Sequence, residues 1–433
     1  MRRPGWRTLL LVALAVGVAL AFAGVAGRRS AAPPSPTAPG LPIEAGAVRT
    51  FTQLLDEVQV RAMTGAQWAT IARENAVVVL NSRDFRLIPV LKRANPAVQV
   101  WVYKDLSGVR SDDCTAKTGN CGACGRGVAD SSLLSSGIGY CWLKRNHPDW
   151  LLRALGSGRP FRFRGYPLTW ETDYGNRAYL RQWIKDVLAD VHRHGWDGVK
   201  VDNALTTADA YGVAAKYPTN AAVQTATYSA LHEVGQALHQ SGVASVANVG
   251  YATTFRGLWQ RWLGPVDGLE QEFYLSFSTR PDAVGAQWGE FENEVSSCAA
   301  QYKVCWFHSG GYTDAVTPQT RTYALASFLL ATDGRQLLSV GDLTSLPSAL
   351  RVAFGSSLST MDEMGHAWRR SFAGGVAVVN PTRSGTVAYL GGNYLDGAGH
   401  PISVVSLRPA SGAVLRVGTG RGTPRENPQA GPG

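Results

Sequence analysis

The segment Gly195–Asn203, with the sequence GWDGVKVDN, decides the fold prediction, because it contains a short apolar strand that ends at the carboxylate of Asp202. The segment Val266–Phe273, VDGLEQEF, has the same form, since Asp-Gly leads into a strand that ends at an acid, Glu272. In a barrel of parallel strands, the carboxyl ends of the strands line the active-site face. Two acids in this position therefore predict a pair of carboxyl groups that face one cleft.

A purely structural interpretation of these two segments is the alternative. Asp-Gly dipeptides form turns, and the acids that follow could cap helices or pair with the many arginines of the chain. For a single strand this structural role would be the default. The recurrence of the same form in two strands favours the functional interpretation.

Short runs rich in Val, Ile and aromatic residues recur from Phe51 onward and alternate with segments of helical periodicity, which is typical of repeated βα units. Eight such units predict a (β/α)8 barrel over residues 45–355. An open doubly wound sheet is the alternative, but the turn after Asn81 lacks the glycine-rich phosphate loop of that fold. The predicted strands are Ala76–Asn81, Val98–Asp105, Pro167–Asp173, Gly198–Asn203, Ser245–Tyr251, Gly268–Tyr274, Lys303–Ser309 and Gln336–Gly341.

Three further regions depart from the βα pattern. Residues 110–164 are too long for a simple loop and contain four cysteines, so we interpret them as an insert that forms a rim of the cleft. Residues 356–417 alternate strand patterns with Gly, Asn and Pro turns and predict a small antiparallel β domain. Residues 418–433 are predicted to be a disordered tail.

Residues 1–40 have the form of an export segment. Three arginines precede an apolar stretch, Thr8–Gly27, which is followed by a linker of Pro, Ser and Ala. Ala21-Phe22-Ala23 offers a signal-peptidase site, but an apolar stretch of about 20 residues is also long enough to remain as a membrane anchor. The sequence therefore predicts a chain that is secreted or anchored outside the cytoplasm.

The net charge of +10 arises from 42 Lys and Arg against 32 Asp and Glu, and many of the arginines lie near the chain ends. No basic run with interleaved aromatic residues occurs, so nucleic acid is not a predicted partner.

Six cysteines fit an oxidising compartment, where disulfide bonds form. Nearest-neighbour pairing gives Cys114–Cys121, Cys124–Cys141 and Cys298–Cys305, which is one of 15 possible connectivities. A zinc site around Cys121 and Cys124 is the alternative, but no histidine lies at zinc-finger spacing.

The acids of the two segments have the properties that glycosidic bond cleavage needs, namely a proton donor and an anion. Glu270 and Glu272 are two residues apart in a strand and face the same side. We assign Glu272 as the acid/base and Asp202 as the nucleophile. Glu270 either raises the pKa of its neighbour by like-charge repulsion or forms a buried salt bridge with Lys200.

Other polar and aromatic side chains at strand ends are candidates for substrate binding, because sugars need hydrogen-bonding groups and flat apolar faces. Aromatic residues near these ends include Trp101, Tyr103, Trp142 and Tyr274, which can equally be core residues. No metal constellation, cofactor motif or Gly-x-Ser-x-Gly elbow is present in the sequence. The predicted binding residues are Lys104, Asp105, Asp173, Asn203, Asn248, Tyr251, Glu270, His308, Trp170 and Trp306.

These segments resemble exported bacterial barrels of hypothetical glycosyl hydrolase family 15, which is also similar to the endo-α-1,4-polygalactosaminidase group. The resemblance extends over about residues 50–415 and rests on the motifs VWVYKD at Val100–Asp105, HPDW at His147–Trp150, DYGN at Asp173–Asn176, and the two Asp-Gly segments. It implies a barrel glycosidase of the bacterial cell envelope with Asp202 and Glu272 as its acids.

Two functions follow as hypotheses. The first is an exported glycoside hydrolase that cleaves an extracellular or cell-wall polysaccharide or oligosaccharide. Retention of configuration predicts a carboxyl separation of about 5–5.5 Å, whereas a separation of about 6.5–9.5 Å would mean an inverting enzyme. The second is a non-catalytic carbohydrate-binding barrel whose acids only bond to sugar hydroxyls, since a barrel can persist without its reaction.

Overall fold

A computed structural model describes residues 48–114, 124, 128–278, 280–310, 316–341, 354–396 and 398–418. The predicted export segment 1–40, the residue Cys121 and all but the first residue of the predicted tail 418–433 lie outside this part of the chain. Within it, no helix is long and apolar enough to cross a membrane.

Eight parallel strands close into a barrel, which confirms the predicted fold class. The strands follow one another around the barrel in chain order. They are β1 (Arg49–Leu54), β2 (Val77–Leu80), β3 (Gln99–Asp105), β6 (Gly198–Asp202), β7 (Ala244–Asn248), β8 (Gly268–Gln271), β9 (Trp306–Ser309) and β10 (Leu337–Val340). Two further strands, β4 (Gly108–Arg110) and β5 (Thr169–Glu171), pair with each other outside the barrel.

One of the eight predicted strands was wrong and one barrel strand was missed. Pro167–Asp173 contains β5, which pairs antiparallel with β4 above the barrel instead of joining it. The barrel closes through β1, which pairs with β2 on one side and β10 on the other. The sequence of β1, RTFTQL, has only two apolar residues, Phe51 and Leu54, and so lacks the continuous apolar run by which the other strands were identified.

The helices cover the outside of the barrel, and the longest lie after β5 and β6. Among the described residues they are α1 (Glu57–Ala62), α2 (Gly65–Glu74), α3 (Ile88–Ala94), α4 (Tyr140–Asn146), α5 (Arg177–His194), α6 (Asn220–Gln240), α7 (Leu258–Trp262), α8 (Ala286–Ala300) and α9 (Pro318–Ala331). Short 3-10 helices occupy Ser82–Leu87, Pro148–Trp150 and Ala252–Thr254.

Helix α5 positions the strand that carries Asp202. The Asn176 side chain accepts a hydrogen bond from the Ala178 N–H and so caps the first turn. Gly195 ends the helix at φ +75°, a left-handed conformation that glycine adopts without steric cost. The chain then turns directly into β6, so the sharp end of the helix fixes where β6 begins.

A second sheet follows the barrel, as predicted, and all its pairings are antiparallel. Its strands lie in the order β11-β12-β13-β16-β14-β15. They are β11 (Asp362–Met364), β12 (Ala367–Phe372), β13 (Gly375–Asn380), β14 (Thr386–Leu395), β15 (Pro401–Leu407) and β16 (Ser411–Val417). Helix α9 packs against β13 and β16 and so joins the sheet to the barrel.

Two disulfide bonds lie in the described part of the chain, Cys124–Cys141 and Cys298–Cys305, as nearest-neighbour pairing predicts. The first lies within the insert 110–164 and links Cys124 to α4, and the second links the end of α8 to the residue before β9. The predicted Cys114–Cys121 bond involves a residue outside the described part.

Candidate active site

A cleft of about 310 Å³ opens at the carboxyl ends of β3, β6, β7 and β8. Both predicted catalytic acids line it. Four of the predicted binding residues join them there: Asp105, Asn203, Asn248 and Tyr251. The strand-end position of acids therefore located the cleft correctly.

Asp202 ends β6 and receives hydrogen bonds from two neighbouring strands. The Tyr103 hydroxyl donates to Oδ2 at 2.6 Å, and the Asn248 amide donates to Oδ1 at 2.8 Å. The Lys200 ammonium lies 3.8 Å from Oδ1, below the carboxylate. Two hydrogen-bond donors and a cation therefore surround the Asp202 carboxylate.

Glu272 follows β8 directly and is held by the same amide. The Asn248 Nδ2 donates to Glu272 Oε2 at 3.0 Å. Since the amide is 2.8 Å from the Asp202 oxygen, the two acidic oxygens are at most about 5.8 Å apart, the sum of these two distances. Burial, together with the charge of Asp202, raises the pKa of Glu272, although Lys200 opposes the shift. A raised pKa suits a group that must carry a proton.

A third acid, Asp105, stands beside Asp202, because the two residues are paired in the register of β3 and β6. Burial, with a smaller contribution from Asp202, raises the pKa of Asp105 to about 7. Its Oδ2 accepts from the Asn203 amide at 2.9 Å, and the Tyr211 hydroxyl donates to Asn203 Oδ1 at 2.8 Å. Asp105 thus fixes the turn after Asp202, where Asn203 has a φ of +56°.

Below the cleft, Glu270 forms a salt bridge with Lys200 at 2.9 Å, and the Gln53 side chain bridges the two. Glu270 is fully buried and does not line the cleft. Burial, opposed by Lys200, raises its pKa to about 7. Of the two roles left open for Glu270, the structure shows the salt bridge. It does not place Glu270 where a sugar could reach it.

His308 and Trp306 point into the barrel from β9 but lie below the cleft. Both are fully buried. Burial lowers the pKa of His308 to about 3, so the imidazole is neutral. The Trp306 ring packs 5.1 Å from Phe51 and 4.9 Å from Trp101 in the lower barrel core. Neither residue lines the cleft, so the structure does not support the predicted contacts with substrate.

Lys104 points away from the cleft, because alternate residues of a strand face opposite sides and its neighbours Tyr103 and Asp105 face inward. The Lys104 ammonium lies 2.7 Å from Asp190 of α5. The predicted contact of Lys104 with substrate is therefore replaced by a buried structural ion pair.

Asp173 and Trp170 also lie outside the cleft-lining set. The Asp173 carboxylate is 2.6 Å from the Lys216 ammonium and accepts from the Tyr217 hydroxyl, so it holds two loops together. The Trp170 ring stacks 5.6 Å from Tyr140. Both come from the segment wrongly predicted to be a barrel strand, which explains their displacement.

Several cleft residues were not predicted to bind substrate. Tyr103 was noted only as a strand-end aromatic residue, although strand alternation places it on the same face as Asp105. Tyr166, Tyr211 and Phe273 come from loops, where no periodic pattern marks the residues that face the cleft. Among the described residues, no group of three His, Cys, Asp or Glu side chains is arranged to hold a metal ion.

The fold resembles solved structures at low sequence identity. Amy13B of Eubacterium rectale has a TM-score of 0.48 and 10% identity, with 86% of this chain and 97% of that chain covered. The noncanonic maltogenic α-amylase AmyB of Thermotoga neapolitana has a TM-score of 0.46 and 11% identity, with 86% of this chain and 96% of that chain covered. A β-L-arabinopyranosidase of Geobacillus stearothermophilus, in complex with arabinose, has a TM-score of 0.46 and 11% identity, with 87% of this chain and 98% of that chain covered.

No curated relative matches the sequence. The model of hypothetical glycosyl hydrolase family 15 matches residues 92–376, which include β3, β6, β7 and β8 with both acids. Because this match extends over more than half of the 433 residues, the chain belongs to hypothetical glycosyl hydrolase family 15.

Proposed function

We propose that this chain is an exported glycoside hydrolase that cleaves a polysaccharide or oligosaccharide with retention of configuration. The observation that carries the proposal is the pair of hydrogen bonds that the Asn248 amide donates to the two acids, which places the accepting oxygens at most about 5.8 Å apart. Retaining enzymes have carboxyl groups about 5–5.5 Å apart, whereas inverting enzymes need about 6.5–9.5 Å for a water molecule. The bound on the separation favours retention.

The roles of the two acids follow from their surroundings. Glu272, whose pKa is raised, protonates the leaving oxygen as the glycosidic bond breaks. Asp202 attacks the anomeric carbon and forms a glycosyl ester. Glu272 then takes a proton from water, whose oxygen attacks the same carbon and releases Asp202. One water is consumed, and both carboxyl groups return to their starting states.

Two observations support a substrate outside the cytoplasm. The disulfide bonds Cys124–Cys141 and Cys298–Cys305 are typical of oxidising compartments. The cleft is lined by three acids, one arginine, two amides and four tyrosines, a combination of groups that suits a hydroxyl-rich ligand. We therefore propose an extracellular or cell-wall saccharide as the substrate.

The test is hydrolysis of a panel of polysaccharides and aryl glycosides by the chain from residue 41, beside Asp202→Asn and Glu272→Gln. We expect each variant to lose roughly 10³-fold or more in kcat, since both groups take part in bond breaking. Proton NMR of the first product should show the anomer of the substrate.

Two rescue experiments separate the roles. Azide should restore activity to Asp202→Ala and give a glycosyl azide of inverted configuration. Glu272→Gln should keep more activity on an aryl glycoside whose leaving group needs no proton. Asp149→Asn, which changes an exposed acid, is the matched control. Sugar binding that survives in both acid variants, without cleavage by the unmodified chain, would instead support a carbohydrate-binding barrel.

A further inference from the structure

Three aromatic side chains form a strip that leads from the acids to the outside of the cleft. Phe273 follows Glu272 in the chain, and Tyr251 and Phe273 both line the cleft. The centroids of the Phe273 and Phe277 rings are 4.6 Å apart, and the Tyr251 ring lies 6.2 Å from Phe273 and 6.5 Å from Phe277. The strip is therefore continuous with the place of the proposed reaction.

The outer rings of this aromatic strip are open to solvent. Tyr251 is 49% exposed and Phe277 is 46% exposed. Single exposed aromatic residues are common, but contiguous apolar patches at the edge of a cleft mark binding sites. Packing in the core does not account for this grouping.

The backbone holds the aromatic strip in a fixed arrangement. Tyr251 has a φ of +60° and Leu275, between Phe273 and Phe277, has a φ of +61°. Residues other than glycine are strained in this conformation, and such strain concentrates at ligand sites. The Phe277 N–H donates to the Asp282 carboxylate at 2.9 Å, and the Asp282 N–H donates to the Leu275 carbonyl at 3.0 Å. These bonds close the loop and preorganise Phe277.

The chemistry of the surroundings indicates what the aromatic strip binds. A pyranose has a face of C–H groups, which packs on aromatic rings, and a rim of hydroxyls, which needs hydrogen-bonding partners. The strip provides the rings, while Glu272 and Asn248 provide polar groups at its inner end. A stable protein partner would bury about 800 Å² per side, much more than three side chains offer.

We propose that Tyr251, Phe273 and Phe277 form a stacking site for a sugar unit that lies beyond the two units joined by the scissile bond. The nature of the ligand rests on the proposed function. The stacking site would favour a chain of several sugar units over a small glycoside, because Phe277 lies outside the set of residues that line the cleft and a longer ligand extends further from the acids.

Binding in an inactive background tests the stacking site without hydrolysis. The full chain with Glu272→Gln is titrated calorimetrically with the disaccharide and the hexasaccharide of the malto, cello, galacto and chitosan series. The same titrations are made after adding Phe277→Ala. Tyr228→Ala, which removes a 41% exposed ring from α6, is the matched control. Thermal melting confirms that each variant is folded.

We expect at least one hexasaccharide to bind more tightly than its disaccharide. Phe277→Ala should weaken hexasaccharide binding roughly tenfold and disaccharide binding much less, while Tyr228→Ala changes neither. Equal effects of Phe277→Ala on both lengths, no effect on either, or no binding of any oligosaccharide would overturn the stacking site.

The outcomes for the stacking site and for the proposed function are distinguishable. Length-dependent binding without hydrolysis by the unmodified chain would refute the enzyme and keep the stacking site. Hydrolysis with binding that does not depend on length would refute the stacking site alone.

Discussion

At the scale of single residues, Asn248 connects the chemistry of the cleft. Its amide donates one hydrogen to Asp202 and one to Glu272. The bond to Glu272 lowers the pKa of that acid against the effects of burial and of Asp202. The two bonds together limit the distance between the acids. Asn248 therefore affects both the geometry and the proton affinity of the pair.

Replacing Asn248 with alanine should change rate and pH dependence together. We expect kcat to fall roughly 10- to 100-fold, because the acids lose their common support. The pKa of Glu272 should rise, since a bond that lowers it is removed. Glu272 must be protonated to act as the acid, so the alkaline limb of the pH–rate profile should move to higher pH.

The measurement is kcat over a pH series, with Asn146→Ala as the control, because Asn146 is an exposed amide on α4. An Asn248→Ala profile that loses rate but keeps its alkaline limit would mean that this amide supports the geometry only.

At the residue scale, the sequence predicted which acids face the cleft where the end of a strand and strand alternation gave both the position and the direction of a side chain. Asp202 and Glu272 lie in the cleft because each is the last of the alternate residues, along its strand or directly after it, that face the inside of the barrel. The predicted contact of Lys104 with substrate was wrong, because Lys104 and Asp105 are adjacent in the strand and so face opposite sides. Strand alternation could have shown that both residues cannot face the cleft. The predicted contact of His308 with substrate was wrong for another reason, since strand alternation gives the side on which a residue lies but not whether its side chain reaches the cleft or is buried.

At the scale of elements, helix α8 carries two acids that face the barrel wall. The Gln271 amide donates to Glu294 at 3.0 Å, and the Tyr274 hydroxyl donates to Glu292 at 2.7 Å. Burial, opposed by the bond from Gln271, raises the pKa of Glu294 to about 8. Burial raises the pKa of Glu292 well above its ordinary value. The helix therefore packs with its inner acids protonated.

The protonated state of Glu294 predicts a pH dependence of stability. The folded-state pKa lies above the ordinary value of 4.5, so the folded chain binds the proton more tightly than the unfolded chain. The tighter binding of this proton stabilises the folded chain. The stabilisation is fully present below about pH 4.5 and is lost as the pH rises to about 8. Glu294→Gln keeps the shape and removes the titration, so its stability should decline less over this range.

Urea unfolding gives the free energy of unfolding at pH 5 and at pH 8.5. We expect its decline between these two pH values to be smaller in Glu294→Gln than in the unmodified chain, by an amount on the order of a few kcal/mol. Glu363→Gln, an exposed acid of β11, should behave like the unmodified chain. Parallel declines in all three proteins would show that Glu294 is ionised in the folded state.

Helices and strands were predicted well where a long sequence pattern defined them, and poorly where the helix or strand was short. Helix α5 has 18 residues with a buried stripe, which is the helical periodicity on which the predicted βα units rest. Strand β5 has three residues and was extended into a barrel strand, because periodicity does not distinguish a surface ribbon from a barrel strand. The acids Glu292 and Glu294 gave no signal, since charged residues on a helix are expected to face water.

At the scale of the whole molecule, helix α9 belongs to the barrel and to the terminal sheet at once. Every residue from Tyr323 to Leu330 is buried. The Arg370 side chain of β12 donates to the carbonyls of Leu329 and Leu330 at 3.0 and 3.1 Å at the end of α9. The Trp288 ring of α8 lies 5.7 Å from the Trp368 ring of β12. Both polar and apolar contacts thus join the two parts.

This shared helix leads us to propose that the barrel and the sheet unfold together, although the sequence predicts them as separate domains, 45–355 and 356–417. Gly412 of β16 is the sharpest place to test this, because a Cβ there would lie 2.6 Å from the Ala326 Cβ and 2.9 Å from the Thr322 carbonyl of α9. Gly412→Val should force the sheet away from the helix and lower stability by about 1–3 kcal/mol.

Hydrogen exchange followed by mass spectrometry reports on both parts of the molecule at once. If the two parts unfold as one unit, Gly412→Val should speed the slowest exchange of peptides from β13 and from β6 by the same factor, roughly 5- to 150-fold. Gly289→Ala, which adds a methyl group to α8 where there is open space, should not speed exchange in either. Faster exchange in β13 with unchanged exchange in β6 would show instead that the barrel is stable without the sheet, and that α9 needs only its barrel face to remain folded.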